Sequence, residues 1–144
     1  MNRRTLLAWL PFALLLASRA GAQESPSDWV KRILDPAAIG VTVPPGAELN
    51  RKITVDTIRT DDPRKRIAVY MAPVEQIDKA AEHFEKTLKV KPKATDVGSP
   101  FTRYEFNLTG GGDYPKSAEG LKIVILHSPF VDGRAQITME IAAK

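Results

Sequence analysis

The 144 residues are 43% hydrophobic and 26% charged and include no cysteine, the composition of one ordinary folded domain rather than of a disordered or fibrous chain. The lack of cysteine excludes a disulfide scaffold, a thiol nucleophile, a CxxC redox pair and any cysteine-ligated zinc or iron–sulfur site. The formal charge of +4 is concentrated at the start. Residues 1–22 hold three of the 21 Lys and Arg and none of the 17 Asp and Glu, which leaves 18 basic against 17 acidic side chains, a net +1, in the other 122. A domain so near neutrality has no bulk field with which to hold nucleic acid.

Residues 1–22 read as a signal peptide. Met1-Asn2-Arg3-Arg4 is a basic start, Leu6 to Ala17 an apolar stretch, and Ala20-Gly21-Ala22 a small-x-small cleavage site ahead of Gln23. The apolar stretch falls short of the roughly 20 residues that span a bilayer. No second such run follows and no cysteine stands at the cleavage site, so neither a stable membrane anchor nor a lipid anchor is predicted. The mature chain is therefore expected to be periplasmic or secreted. Arg3-Arg4-Thr5-Leu6-Leu7 fits a twin-arginine signal, whereas the very short basic start fits the general secretory route; both stay open.

Residues 23–40 form a lead-in. Ser27 is positioned to cap a short helix Asp28–Leu34, in which Trp29 and Ile33, and Val30 and Leu34, lie four apart, and Asp35-Pro36 stops it. Residues 41–144 form a single domain, entered through an extended Val41–Ala47 stretch turned at Pro44-Pro45-Gly46. Ile53 and Val55 alternate with Thr54 and Asp56, which predicts a strand to about Arg59. Asp61-Asp62-Pro63-Arg64 then turns the chain into a second strand, Arg66 to Met71, so the two are expected to form an antiparallel hairpin.

Pro73 suits the first position of a helix, with Glu75 placed to reach the free amides there. Ile77, Ala81, Phe84 and Leu88 make one apolar stripe, with Glu75–Lys79 and Glu82–Lys86 on the wet side. Beyond a turn at Asp96–Pro100, Tyr104, Phe106 and Leu108 alternate as a half-buried strand. Thr109 to Gly120 is a long loop, read as a flexible hairpin connection. Leu121 to His127 is apolar nearly throughout and reads as a central strand. Asp132-Gly133 signals a two-residue type I′ turn into a last strand carrying Ile137, Met139 and Ile141, with Pro129 at a strand end or bulge. The sum is an α+β fold: an antiparallel sheet of about five strands, in the order β-β-α-β-β-β, with one amphipathic helix on one face. Val124 and Leu126 make the other face partly apolar, and it is open to cover by the lead-in, a second copy or a ligand.

Few residues carry chemistry. His83 lies off the helix stripe and reads as an exposed surface residue. His127 ends an apolar strand, as a structural histidine or as a base if Asp56 or Glu105 lies near it. The two histidines offer no metal-ligand spacing, and no cofactor is predicted. Gly110-Gly111-Gly112 joins strand to strand rather than strand to helix, and no GK[ST] follows it, so it is no phosphate loop. No G-x-S-x-G is present, and no catalytic residue is predicted. Lys86, Lys89, Lys91 and Lys93 gather around the helix end, where the dipole accounts for Lys86 and Lys89, and a second basic group stands at Arg64-Lys65-Arg66; an anionic envelope partner such as lipid headgroups stays open for them. The candidate ligand or partner contacts are Tyr114 and Lys116, on the long loop, and His127.

Val43-Pro44-Pro45-Gly46-Ala47, then Val69-Tyr70, then the helix end His83-Phe84-Glu85-Lys86-Thr87-Leu88 resemble a loose group of small exported bacterial proteins of unknown function. Their pattern is a Pro-Gly-Ala entry, a Val-x-Tyr strand and a Phe-x-x-x-Leu helix end. The resemblance covers about residues 41–142 and departs at His83-Phe84, where an aromatic pair is usual, and in lacking the lipoprotein cysteine. It implies an α+β envelope domain and carries over no catalytic residue. The expected function is a non-catalytic periplasmic module that binds a protein partner or an envelope ligand through the open sheet face and the 109–120 loop. The alternatives are an accessory or inhibitory subunit of an envelope complex, and a small hydrolase or isomerase using His127 with a carboxylate.

Overall fold

The computed structural model describes residues 24–96 and 102–142; the leader reading of residues 1–22 and most of the Asp96–Pro100 turn lie outside them. In chain order the elements are α1 (Pro26–Lys31), a 3-10 turn (Pro36–Ile39), β1 (Glu48–Leu49), α2 (Arg51–Thr60), β2 (Lys65–Pro73), a 3-10 turn (Val74–Gln76), α3 (Ile77–Leu88), β3 (Lys93–Asp96), β4 (Thr102–Asn107), a 3-10 turn (Lys116–Ala118), β5 (Lys122–His127) and β6 (Arg134–Ala142). The strands make one antiparallel sheet in the order β1-β2-β6-β5-β4-β3. The class is α+β as expected, with two short edge strands, β1 and β3, added to the expected set. No helix among the described residues is long and apolar enough to cross a membrane.

The expected strand over residues 53–59 is a helix, and the expected hairpin with β2 does not exist. Alternation of Ile53 and Val55 competes with a helical set in the same ten residues, because Thr54 and Ile58 also lie four apart and both are fully buried. The Asn50 side chain caps the helix, its Oδ1 accepting the Ile53 amide at 3.0 Å. Lys52 and Asp56 pair one turn apart on the wet side. Strand and helix preferences differ by less than about 1 kcal/mol per residue, whereas burying one isoleucine contributes about 1.5–3 kcal/mol. Tertiary burial of Ile58 therefore outweighs the β-branched composition.

α3 starts four residues later than expected, since Pro73 is the last residue of β2, opposite Arg134, and a 3-10 turn intervenes. Its stripe of Ile77, Ala80, Ala81, Phe84 and Leu88 packs on the first face of the sheet with Ala68, Phe106, Ile123, Ile125, Ile137 and Met139. Phe84 meets Phe106 edge to face at 5.8 Å, and the Tyr104 hydroxyl donates to Asp78 at 2.7 Å, so both ends of α3 are tied down.

α1 also differs from expectation, running Pro26–Lys31 with Ser25 ahead of it; the Asp28 carboxylate accepts the Ser25 amide at 3.0 Å. The helix ends early because Ile33 and Leu34 are recruited as strand-like residues. Ile33 bridges Ile67 and joins the second-face core, while Leu34 enters the first-face core.

On the second face, Ile67, Val69 and Met71 of β2 are covered by Ile58 and Ile53 of α2 together with Trp29 and Ile33. The Arg59 guanidinium lies 4.9 Å over the Trp29 ring and joins α1 to α2. The Thr54 hydroxyl locks α2 to the sheet: it accepts the buried Val69 amide at 3.0 Å and donates to the Asn50 carbonyl at 2.7 Å. Thr54→Val keeps the shape but strands the Val69 amide. It is expected to lower stability by about 1–3 kcal/mol, while Thr54→Ser loses less; urea unfolding midpoints at constant slope measure both.

Candidate functional site

None of the three contacts expected from the sequence lines the groove described below, and Tyr114 is occupied within the fold. Tyr114 is buried, 7% exposed, in the first-face core. Its hydroxyl donates to the Glu119 carboxylate, which raises the phenol pKa, and Glu119 also accepts the Gly110 amide at 2.9 Å. The ring lies so close to Gly112 that a Cβ there would stand 2.7 Å from Tyr114 Cε1, which is why a glycine occupies the position. With Ser117 Oγ donating to the Ile39 carbonyl at 2.9 Å, the 109–120 loop closes on the core and on the lead-in instead of standing open. Lys116 is exposed on this loop and makes no ion pair among the described residues.

His127 pairs with Ala135 on the same face as Ile123 and Ile125. Glu105 is opposite Val124, and Asp56 is on α2, so both lie on the other face of the sheet and out of reach. Strand alternation therefore keeps Asp56 and Glu105 from pairing with His127. The carboxylate beside His127 Nε2 is that of Asp132, at 3.8 Å and fully exposed, beyond hydrogen-bond length. His83, expected to be exposed, is half-buried and has its Nε2 2.9 Å from the Thr42 carbonyl, because the extended entry segment covers that flank of α3. Among the described residues no three His, Asp or Glu side chains converge as a metal site requires.

A groove lies at the seam on the second face, where α2 ends its cover of β2 and the sheet opens. It encloses about 830 Å³ between Asn50, Ile53, Asp56, Thr57 and Thr60 on the α2 side and Phe130, Val131, Gln136 and Thr138 on the sheet side. A smaller lobe of about 400 Å³ shares Asn50 and Val131 and adds Leu49, Met71, Glu48 and Arg134. The β5–β6 loop forms one wall, and it is not the expected type I′ turn. Gly133 alone has the left-handed backbone, at φ 70°, while Asp132 does not, so the connection spans residues 128–133.

The loop is organised by Ser128, which is buried. Its Oγ accepts the Phe130 and Val131 amides at 3.2 and 3.1 Å and donates to Gln136 Oε1 at 3.1 Å. Gln136 Nε2 donates in turn to Thr138 Oγ1 at 3.2 Å. This scaffold holds Phe130 out at 68% exposure on the groove rim.

Beyond the groove the open face carries Val124 and Leu126, half-buried on β5 as expected, and is otherwise polar. Glu105 binds Arg103 at 2.9 Å, Asn107 at 3.2 Å and Lys122 at 3.6 Å, and Glu140 binds Lys65 at 3.4 Å. The Asn107 amide and the Arg103 guanidinium hold the Glu105 carboxyl below its ordinary 4.5. Comparison with protein-family models, with curated proteins and with solved structures finds no match for the chain.

Two outcomes follow from this geometry. Tyr114→Ala is expected to lower stability by about 3 kcal/mol or more, and Lys116→Ala to change it by no more than about 0.5 kcal/mol, both read by denaturant unfolding. Because the folded pKa of Glu105 is depressed, its contribution to stability is present above the ordinary value of 4.5 and is lost as pH falls through the folded value. Asn107→Ala should move the Glu105 titration upward, which carboxyl carbon NMR detects directly.

Proposed function

We propose that this chain is an exported, non-catalytic binding module of the periplasm or secreted medium, and that it takes its ligand or partner in the groove between α2 and the β5–β6 loop. One observation carries the reading: Phe130 is held out on the rim of that groove by a buried serine. An exposed phenylalanine forgoes about 1.5–3 kcal/mol of burial, and a loop without function has no reason to hold it away from the adjacent apolar surface of Val131 and Ile53. Exposed aromatics beside a groove are the usual anchors of binding sites. Export rests on the basic start, apolar stretch and small-residue cleavage site of residues 1–22. The absence of catalysis as its role rests on the separation of His127 from Asp56 and Glu105 across the sheet.

Native mass spectrometry of the protein recovered from its own host tests each part. The expected species begins at Gln23 and carries a bound mass that Phe130→Ala removes while leaving the circular dichroism unchanged. Retention of residues 1–22 would overturn export. A stoichiometric protein complex that survives Phe130→Ala would make the chain a subunit held through another surface and would overturn the groove.

A further inference from the structure

We infer that the ligand of this groove is a neutral oligosaccharide, with a sugar ring laid on the face of Phe130 and its hydroxyls bound by Asn50, Thr57, Thr60 and Thr138. The inference rests on the groove being the binding site. Charge is the first constraint. The ionised side chains lining the larger lobe are Lys52 and Asp56, and they pair with each other at 3.4 Å, so the lobe has no net charge to select an ion.

Hydrogen-bonding capacity is the second constraint. Asn50 spends its Oδ1 on the Ile53 amide and leaves both amide protons without a partner among the described residues. Thr57 and Thr60 donate to α2 carbonyls and keep acceptor lone pairs. Thr138 accepts from Gln136 and keeps its hydroxyl proton. The lobe thus presents spare neutral donors and spare neutral acceptors around an apolar floor of Ile53 and Val131 and one aromatic ring. A hydroxyl donates one hydrogen bond and accepts two, so a polyhydroxylated ligand uses both kinds at once. A wholly apolar ligand would desolvate these groups without replacing their bonds. The C–H faces of a sugar ring supply an apolar partner for the exposed ring of Phe130.

The third constraint separates a glycan from an extended peptide. Peptides lying on sheets are held chiefly through main-chain hydrogen bonds to a free strand edge. Here β6, which floors the groove, is paired on both sides, with β2 and with β5, and the α2 backbone is bonded within its helix. Recognition in the larger lobe therefore falls chiefly to side chains: hydroxyls, amides and one aromatic ring, beside Ile53, Val131 and the mutually paired Lys52 and Asp56.

Proton–nitrogen NMR titration of the purified protein with maltotriose, cellotriose and N-acetylchitotriose is the test, with an uncharged, end-capped Ala/Ser pentapeptide in parallel. Saturable binding of at least one trisaccharide is expected, moving the amides of Thr57, Thr60, Val131 and Thr138. Phe130→Ala and Thr60→Val, both at exposed positions on which no buried group depends, should each weaken it about tenfold or more. Groove shifts with the peptide and none with the sugars would overturn the oligosaccharide and leave the groove as a binding site. No shift with either probe would overturn both.

Discussion

The outer edge of β2 is the constraint on which the rest of the architecture depends. β2 is nine residues long, but β1 pairs only with Tyr70 and Met71, which would leave the other backbone groups on that edge open in the middle of an apolar strand. Each remaining site has its own partner. Val69 gives its amide to the Thr54 hydroxyl and receives the Asn50 amide at 2.8 Å, and Ile67 exchanges bonds with Arg32 and Leu34 at 3.1 and 3.0 Å. Buried amides without partners cost about 1–3 kcal/mol each, so these contacts do more than decorate the edge. They decide where residues 24–60 must lie.

The division of the second face follows from that placement. Because Thr54 and Asn50 bond to Val69, α2 is pinned over β2 and reaches no farther than the border with β6. The half under α2 is dry, closed by Ile58, Ile53 and Trp29. The half beyond it, on β4, β5 and β6, stays wet, and Glu105, Arg103, Lys122, Glu140 and Lys65 cover it with ion pairs and hydrogen bonds in place of a second layer. Pairs so exposed add little to stability; their effect is to make an uncovered sheet tolerable in water. The groove is the line where the two solutions meet, and it exists because α2 is ten residues long and held at its N-terminal end.

What could be read from the residues, and what could not, follows from how local each signal is. The stripe Ile77, Ala81, Phe84 and Leu88, and the alternation through Phe106, Ile123 and Ile137, announce α3 and the central strands because one face of each is buried throughout. α2 escaped because Ile53, Thr54, Val55, Thr57 and Ile58 carry strand-like side chains, while the evidence for a helix sat outside the alternation, in the Asn50 cap and the Thr54–Ile58 spacing. Tyr114 looked available because a loop of glycines hides a buried ring well; only Glu119, five residues on, gives its hydroxyl a reason to turn inward. His127 and Glu105 are ruled apart by strand alternation, a rule readable in advance only when the register of β4 against β5 is known. The groove residues come from α2, the β5–β6 loop and β6, and no spacing in the sequence brings these three together.

The chain of bonds from Ser128 to Thr138 links loop, sheet and groove in a way that a contact list understates. Ser128 Oγ fixes the backbone of Phe130 and Val131, Gln136 Oε1 takes the hydroxyl proton of Ser128, and Gln136 Nε2 points the Thr138 hydroxyl by occupying its lone pair. Gln136 is 7% exposed, so neither of its bonds is easily exchanged for water. The backbone position of Phe130 on the rim and the direction of the Thr138 hydroxyl are therefore both tied to one amide side chain. A site assembled in this way is partly preorganised: the backbone from which Phe130 projects and the direction of the Thr138 hydroxyl are set before anything binds. That order is the physical support for the binding site proposed at this seam, in place of the closed 109–120 loop.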